Sequence, residues 1–259
     1  LFSRKSRLLG VIFKGIFSLI ERHLFTSAAG VNVVSEGFPN YFEAEGVDTS
    51  RWLFFPNGVD QEFVDFSSVK SDPSKGYKTV LYAGNIGSGQ GLESVVPSLA
   101  KKLGEDFQFV IVGDGGTSGK LREAIESEEI NNVELVPPVS RTELLDYYLK
   151  ADILFLHLND VQSFRRVLPS KIFEYVALGK PIVAGLSGYS ANFLRENVPY
   201  ANLFAPGDFD GAYEAVMKSS ERELTREIVV QFVNSYSRES IMDKMAEHLI
   251  RLIMSNIKA

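Results

Sequence analysis

The chain has 259 residues, 45% hydrophobic and 23% charged, which is typical of a globular protein with one large or two small cores. It contains no cysteine, which excludes disulfides, thiolate metal sites and a cysteine nucleophile, and fits a reducing compartment. The net charge of −6 argues against a nucleic-acid partner.

Residues 1–27 combine basic charge with apolar residues at helical spacing. Five basic residues accompany one acidic residue, Glu21, so this stretch carries a net charge of +4. Charges interrupt the apolar pattern before about 20 residues accumulate, which argues against a transmembrane helix. No small-residue cleavage site follows, which argues against a signal peptide. The pattern predicts a helix over 1–25 that either contacts an anionic membrane or packs on another domain. Because the first residue is leucine, we expect the chain to be a fragment.

Residues 31–76 contain short elements separated by turn signals. The pattern predicts a strand, a helix, a second strand and a turn, at Val31–Val34, Phe38–Ala44, Trp52–Phe55 and Pro56–Asp60. A polar linker is predicted over Ser67–Gly76.

From residue 79 onward, short β-branched and aromatic runs alternate with helical patterns. The predicted strands are Thr79–Ala83, Phe107–Val112, Val133–Val136, Ile153–His157, Ile182–Ala184 and Asn202–Phe204. The predicted helices are Leu92–Leu103, Ser118–Ser127, Arg141–Lys150, Pro169–Leu178, Ser190–Glu196, Asp210–Lys218, Leu224–Asn234 and Ser240–Ile253. This alternation predicts an α/β fold with a doubly wound parallel sheet of Rossmann type. Ligands bind such sheets at the carboxyl ends of the strands.

Segment 168–184 is the most informative part of the chain. Pro169 suits the first position of a helix, and it leaves the N–H groups of Ser170 and Lys171 free to bind an anion. Glu174 follows about one turn later. A phosphate site with a carboxylate behind it can bind a nucleotide diphosphate and its ribose; the alternative is a helix that is only well capped.

This segment resembles the donor-binding segment of the family 4 retaining glycosyltransferases, which have the two-domain GT-B architecture. Similar motifs follow the family's order at Val33–Ser35, Gly46–Val47, Pro56–Asp60, Gly84–Gly91, Val112–Gly115 and Pro169–Pro181. The resemblance covers residues 20–220. It implies that 1–60 end the acceptor-side domain, that 61–235 form the nucleotide-sugar domain, and that 236–259 form a helix packing back on the first domain. With most of the acceptor domain absent, we expect this chain alone to be inactive.

The resemblance also implies roles for individual residues. It assigns Glu174 to the ribose hydroxyls, since a carboxylate only accepts hydrogen bonds, and Val139, with its neighbour Pro138, to the nucleobase through backbone atoms. For Glu174 the alternative is a solvated glutamate on a surface helix. The loop Gly84–Gly91 contains four glycines, of which Gly84, Gly87 and Gly91 let the backbone approach a phosphate or sugar closely.

The chain departs from the family at two places. The family has a second glutamate eight residues before Glu174, where this chain has Arg166. Family members often place an arginine and a lysine in the first donor-domain loop, where this chain has the neutral Asn85 and Gln90. A leaving diphosphate needs positive charge. We therefore expect a set of three cations, Arg165, Arg166 and Lys171, to supply it, with Arg166 and Lys171 acting in catalysis; the alternative is a solvated basic loop.

Other motifs are read as structural. The Gly84–Gly91 loop also resembles a dinucleotide fingerprint, but the third glycine position holds Leu92 and Asp114 reads as part of a turn. Asp208 and Asp210 precede a helix and are interpreted as capping residues rather than metal ligands. His157 ends a strand on the ligand side and is read as a core histidine.

We therefore expect a retaining glycosyltransferase of bacterial cell-surface polysaccharide synthesis, such as that of O-antigen or capsule. It would use a nucleotide-sugar donor, a UDP-hexose or UDP-N-acetylhexosamine, and a saccharide or lipid-linked acceptor. No metal or other cofactor is expected, and the location implied is the cytoplasm, with peripheral contact to the membrane. Two alternatives stay open: a GT-B nucleotide-sugar epimerase and a non-catalytic nucleotide-binding module.

Overall fold

The computed structural model describes residues 4–65, 76–220 and 226–257. Most of the predicted linker Ser67–Gly76 lies outside these residues, as do the first residues of the helices predicted over 1–25 and Leu224–Asn234.

The first part of the chain forms a small layer of helices on two short strands. Its elements are α1 (Arg4–Ser27), β1 (Val31–Val33), α2 (Pro39–Ala44), β2 (Trp52–Phe54) and α3 (Gln61–Asp65). Strands β1 and β2 pair in parallel. The rings of Phe25, Phe42 and Trp52 lie 4.8–5.1 Å apart and pack the end of α1 against α2 and β2. These aromatic contacts hold the first helix to the short sheet.

A six-stranded parallel sheet forms the rest of the fold. Its strands are β3 (Lys78–Ala83), β4 (Phe107–Val112), β5 (Val133–Val136), β6 (Ile153–His157), β7 (Ile182–Gly185) and β8 (Asn202–Phe204). The spatial order is β5-β4-β3-β6-β7-β8. The order reverses between β3 and β6, which makes the carboxyl ends of these two strands the expected ligand site. The predicted fold class is confirmed.

Helices cover both faces of this sheet. They are α4 (Leu92–Leu103), α5 (Ser118–Ser127), α6 (Arg141–Lys150), α7 (Lys171–Ala177), α8 (Gly188–Asn197), α9 (Phe209–Ser220), α10 (Arg226–Ser235) and α11 (Arg238–Ile257). Successive strand residues point to opposite faces. In β3, Val80 and Tyr82 therefore join a core under α4, α5 and α9, whereas Leu81 and Ala83 join a core under α6, α7, α8 and α10. Burial on both faces explains why the strands read as continuous apolar runs.

The C-terminal helix contacts the first part of the chain. Val59 exchanges two backbone hydrogen bonds with the turn before α11: its N–H donates to Tyr236 O at 2.7 Å, and Arg238 N–H donates to Val59 O at 2.9 Å. Further along α11, an added Cβ at Gly30 would lie 2.9 Å from Leu252 Cδ1. These contacts join α11 to residues 30–60.

The opening of α7 differs from the prediction. Pro169 lies two residues before the helix instead of at its first position. Ile172 N–H donates to Pro169 O and Phe173 N–H donates to Ser170 O, both bonds spanning three residues. The chain therefore enters α7 through a tighter, 3₁₀-like turn, which moves the start of the helix to Lys171.

Helix α1 presents apolar side chains to solvent. The exposed ones are Phe13, Ile16, Phe17, Leu19, Ile20 and Leu24. Among the described residues, no helix combines the length and the hydropathy needed to cross a bilayer.

Candidate functional site

The candidate site lies at the carboxyl ends of β3 and β6, where the strand order reverses. The segment Gly84–Gly91, here called the glycine loop, follows β3 at this edge and ends at the start of α4. The first residue of α7, Lys171, contacts Gly84, which shows that the helix begins beside this loop. The structure therefore brings the loop and the first turn of α7 together.

Gly84 allows the Lys171 ammonium to approach the backbone. Its φ is +145°, and an added Cβ would lie 2.3 Å from both Cε and Nζ of Lys171. Gly113, after β4, has the same φ, and its added Cβ would lie 1.9 Å from Gly84 O. Side chains other than glycine do not fit at either position. Gly84 thus leaves space for the Lys171 ammonium, and Gly113 leaves space for the Gly84 carbonyl.

Lys171 is partly buried at this position. Burial lowers the pKa of its ammonium, and the nearby Glu174 carboxylate opposes that shift. Among the described residues, no carboxylate lies within ion-pair distance of Lys171 Nζ. A desolvated ammonium without a carboxylate partner is available to an anionic ligand.

Glu174 lies one turn after Lys171 and is oriented by a tyrosine. The Tyr148 hydroxyl donates to Glu174 Oε2 at 3.2 Å. The Tyr148 ring is fixed between Phe63 and Tyr175, with centroid distances of 6.1 and 5.9 Å. Burial raises the pKa of Glu174, and Lys171 and the Tyr148 bond oppose the rise. The predicted ribose acceptor is therefore a carboxylate held in one orientation.

The two arginines are engaged elsewhere. Arg165 Nε and Nη2 donate to the two oxygens of Asp160, each at 2.6 Å, and this pairing lowers the pKa of Asp160 to about 2. The Arg166 guanidinium lies 3.7 Å from the centre of the Tyr41 ring. The structure therefore brings Lys171, but not the whole predicted set of three cations, to the glycine loop.

The polar side chains of the glycine loop bond to one another. Asn85 Nδ2 donates to Gln90 Oε1 at 2.9 Å, and Gly87 N–H donates to the same oxygen at 3.2 Å. The side chains of Asn85 and Gln90 thus stabilise the loop, and both residues remain predicted contacts of the donor. Ser170 precedes α7 and makes no side-chain cap bond, and Val139 is partly buried in the loop after β5. Both remain predicted contacts of the ligand.

The motifs read as structural have structural partners. Asp208 Oδ1 accepts from Gly211 N–H at 2.9 Å, the bond of an N-cap residue, and Asp210 pairs with Lys102. Asp114 accepts from Gly115 N–H and from the Ser118 hydroxyl, as in a turn. Within the described ranges, no group of three acidic or histidine side chains is arranged to hold a metal ion.

Comparison with protein families gives one match over most of the chain. The family model "Glycosyl transferases group 1" matches residues 63–235. Within this range lie the glycine loop, Lys171 and Glu174.

Two curated relatives match at 28% identity over 178 residues. One is WcaI of Escherichia coli (strain K12), named as a colanic acid biosynthesis glycosyl transferase; the match covers 66% of this chain and 44% of the relative. The other is the 2-deoxystreptamine N-acetyl-D-glucosaminyltransferase of Niallia circulans, with 68% of this chain and 43% of the relative covered. The chain thus spans less than half the length of these relatives.

The fold also matches solved structures. The Anabaena HepE structure in complex with UDP and glucose superposes with a TM-score of 0.71 at 18% identity. This match covers 90% of the present chain and 66% of the HepE chain. The match places the chain in the GT-B architecture.

Proposed function

Because the chain belongs to the group 1 glycosyl transferases, we propose that it holds the donor-binding half of a retaining enzyme that transfers a sugar from a UDP-linked donor. The donor is a UDP-hexose or UDP-N-acetylhexosamine. The acceptor is a saccharide or a lipid-linked saccharide, in the synthesis of a bacterial cell-surface polysaccharide. The observation that carries this proposal is a partly buried ammonium, Lys171, one turn before an oriented carboxylate, Glu174, at the edge where a doubly wound sheet binds ligands.

In this proposal Glu174 binds the ribose. An ionised carboxylate only accepts hydrogen bonds, and the ribose offers two hydroxyl donors. The bond from Tyr148 uses part of Glu174 Oε2 and leaves the other oxygen for the ligand. Tyr148 was not found from the sequence, because it lies 26 residues before Glu174 and only the fold brings the two together.

Lys171 is proposed to face the diphosphate. When the bond to the sugar breaks, negative charge grows on the leaving diphosphate, so a cation fixed beside it stabilises the transition state more than the ground state. The close approach of Lys171 to Gly84 places this charge beside the glycine loop backbone. The proposal assigns charge compensation to Lys171 and to backbone N–H groups and therefore includes no metal. Arg165 and Arg166 remain candidates for additional phosphate contacts. To reach the phosphate, the Arg165 side chain would have to leave Asp160, and the Arg166 side chain would have to leave Tyr41.

The proposed setting is the cytoplasmic face of a membrane. The names of the relatives support a role in polysaccharide or aminosugar synthesis, since one is assigned to colanic acid biosynthesis and one transfers N-acetylglucosamine. Helix α1 exposes an apolar face that suits either a membrane surface or another domain. Because the chain spans under half of these relatives, the transfer reaction is proposed for the whole protein.

The test is product analysis with the full-length protein. It is incubated with UDP-glucose, UDP-galactose and UDP-N-acetylglucosamine, with and without a membrane extract as acceptor source, and products are identified by mass spectrometry and NMR. We expect UDP together with a glycosylated acceptor whose anomeric configuration matches that of the donor. Release of an epimerised free sugar without acceptor would instead show an epimerase. If the donors were unchanged in every mixture, the result would favour a non-catalytic nucleotide-binding module.

A further inference from the structure

Three consecutive carbonyl groups of the glycine loop accept hydrogen bonds from the last residue of strand β6 and from a residue just after it. Asn159 Nδ2 donates to Ser88 O at 2.6 Å, and Asn159 N–H donates to Gly89 O at 2.8 Å. His157 Nδ1 lies 2.6 Å from Gln90 O. Two residues thus fix the direction of three successive peptide groups.

These bonds determine where the loop N–H groups point. In a trans peptide the N–H of each residue is opposite to the carbonyl of the residue before it. Tying the Ser88 carbonyl to Asn159 therefore turns the Gly89 N–H away from Asn159. Gln90 N–H and Gly91 N–H donate to Gly87 O, whereas Gly89 N–H has no acceptor within the described part of the chain. The N–H groups of Asn85 and Ser88 likewise have no acceptor among the described residues, so the loop is held with three N–H groups available to an anion.

Asn159 occupies a space that only glycine leaves open. Gly91 has a left-handed φ of +59°, and an added Cβ would lie 2.2 Å from Asn159 Oδ1. The Asn159 amide therefore lies directly against the loop backbone at its junction with α4.

His157 is fixed as a donor. A carbonyl oxygen only accepts, so the bond to Gln90 requires the proton on Nδ1. The ring is buried, stacks on Phe204 at 5.9 Å, and approaches Gly185, where an added Cβ would lie 2.3 Å from His157 Cδ2. Nε2 is buried without a partner among the described residues. Its bond to the loop is thus the one polar contact of the ring that the described residues show.

We infer that His157 and Asn159 are positioning residues that hold the glycine loop in the shape that receives the donor diphosphate. This inference rests on the proposed function, because the loop must bind a diphosphate for its shape to matter. Neither residue needs to touch the ligand. Because both act through the loop backbone, they should affect the binding of the diphosphate and not the binding of the nucleoside.

The test compares UDP with uridine by calorimetry in four variants. Asn159→Asp replaces the donor to Ser88 O with an acceptor, and Asn159→Ala removes it. His157→Asn keeps an N–H near the Nδ1 position, whereas His157→Gln moves it toward Nε2. We expect Asn159→Asp and His157→Gln to weaken UDP binding about tenfold, as for one lost hydrogen bond, with little change for uridine. The UDP affinity of Asn159→Ala should lie between those of these two variants and that of the wild type. The UDP affinity of His157→Asn should stay close to that of the wild type.

Asn132→Ala is the matched control. Asn132 Nδ2 donates to the carbonyls of Ala100, Gly104 and Phe107 at 2.8–3.0 Å, near the amino end of β4 and away from the glycine loop. Its loss should lower the unfolding temperature and leave the ratio of UDP to uridine affinity unchanged.

Each outcome decides between explanations. If folded Asn159→Asp keeps the wild-type ratio of UDP to uridine affinity, the positioning role is overturned while UDP binding stands. The same holds if Asn132→Ala changes this ratio as much as Asn159→Asp does. If His157→Asn and His157→Gln behave alike, the Nδ1 bond does not position the loop. If the wild-type chain binds neither UDP nor uridine, the proposed function fails and this inference fails with it.

Discussion

Replacing Glu174 with glutamine is expected to weaken the binding of UDP and uridine alike, by roughly 1–3 kcal/mol, without lowering the unfolding temperature at neutral pH. Both ligands carry the ribose, and both lose a charged acceptor. Glutamine keeps an oxygen for the Tyr148 hydroxyl and removes a buried charge. Calorimetry on both ligands, with Glu126→Gln on the exposed face of α5 as the control, measures this effect.

The pH dependence of stability gives a second measure of the same change. The pKa of Glu174 is raised above its usual 4.5 by burial. Its contribution to stability is therefore fully present below pH 4.5 and is lost as the pH rises through the raised value. Glu174→Gln should remove this part of the pH profile. A variant that unfolds at a lower temperature and binds UDP normally would make Glu174 a structural residue.

Replacing Lys171 with methionine is expected to weaken UDP binding by about ten- to a hundredfold and to leave uridine binding nearly unchanged. The reason is that only the diphosphate needs the ammonium beside Gly84. In the full-length enzyme turnover should fall as well, because the charge on the leaving group grows in the transition state. Methionine fills most of the lysine volume, so the core beneath α7 is retained.

Arg165→Met and Arg166→Met are the matched comparisons for Lys171→Met. Arg165 is paired with Asp160 and Arg166 lies on Tyr41, so each should affect UDP less than Lys171→Met does. Equal losses of UDP and uridine in Lys171→Met would indicate a general structural defect. If either arginine variant lost more UDP affinity than Lys171→Met, the phosphate contact would lie in the loop before α7 instead.

The fold could be predicted from the sequence because its strands are buried on both faces. Phe107–Val112 and Ile153–His157 are mostly apolar runs, each directly preceded by an aspartate, and the structure has both strands at these bounds. The opening of α7 was placed too early, at Pro169, because a one-dimensional pattern does not separate an α-helical first turn from a 3₁₀-like one.

The site could be predicted only in part. Lys171 and Glu174 belong to a recognisable local motif, and their contacts with a ligand stay predictions. The partners that orient the site carry no local signal: Tyr148 bonds to Glu174 across 26 residues, and Asn159 bonds to Ser88 across 71. Asn85 and Gln90 stand where family members often have cations, and the sequence contains no sign that their side chains bond to each other. Such pairings depend on side-chain directions set by the whole fold.

The most direct test of the account is a crystal structure of this chain with UDP. We predict ribose hydroxyls within hydrogen-bond distance of the Glu174 carboxylate, and the diphosphate between the Lys171 ammonium and the glycine loop. UDP bound elsewhere on the chain, or bound here with its ribose turned away from Glu174, would contradict the account.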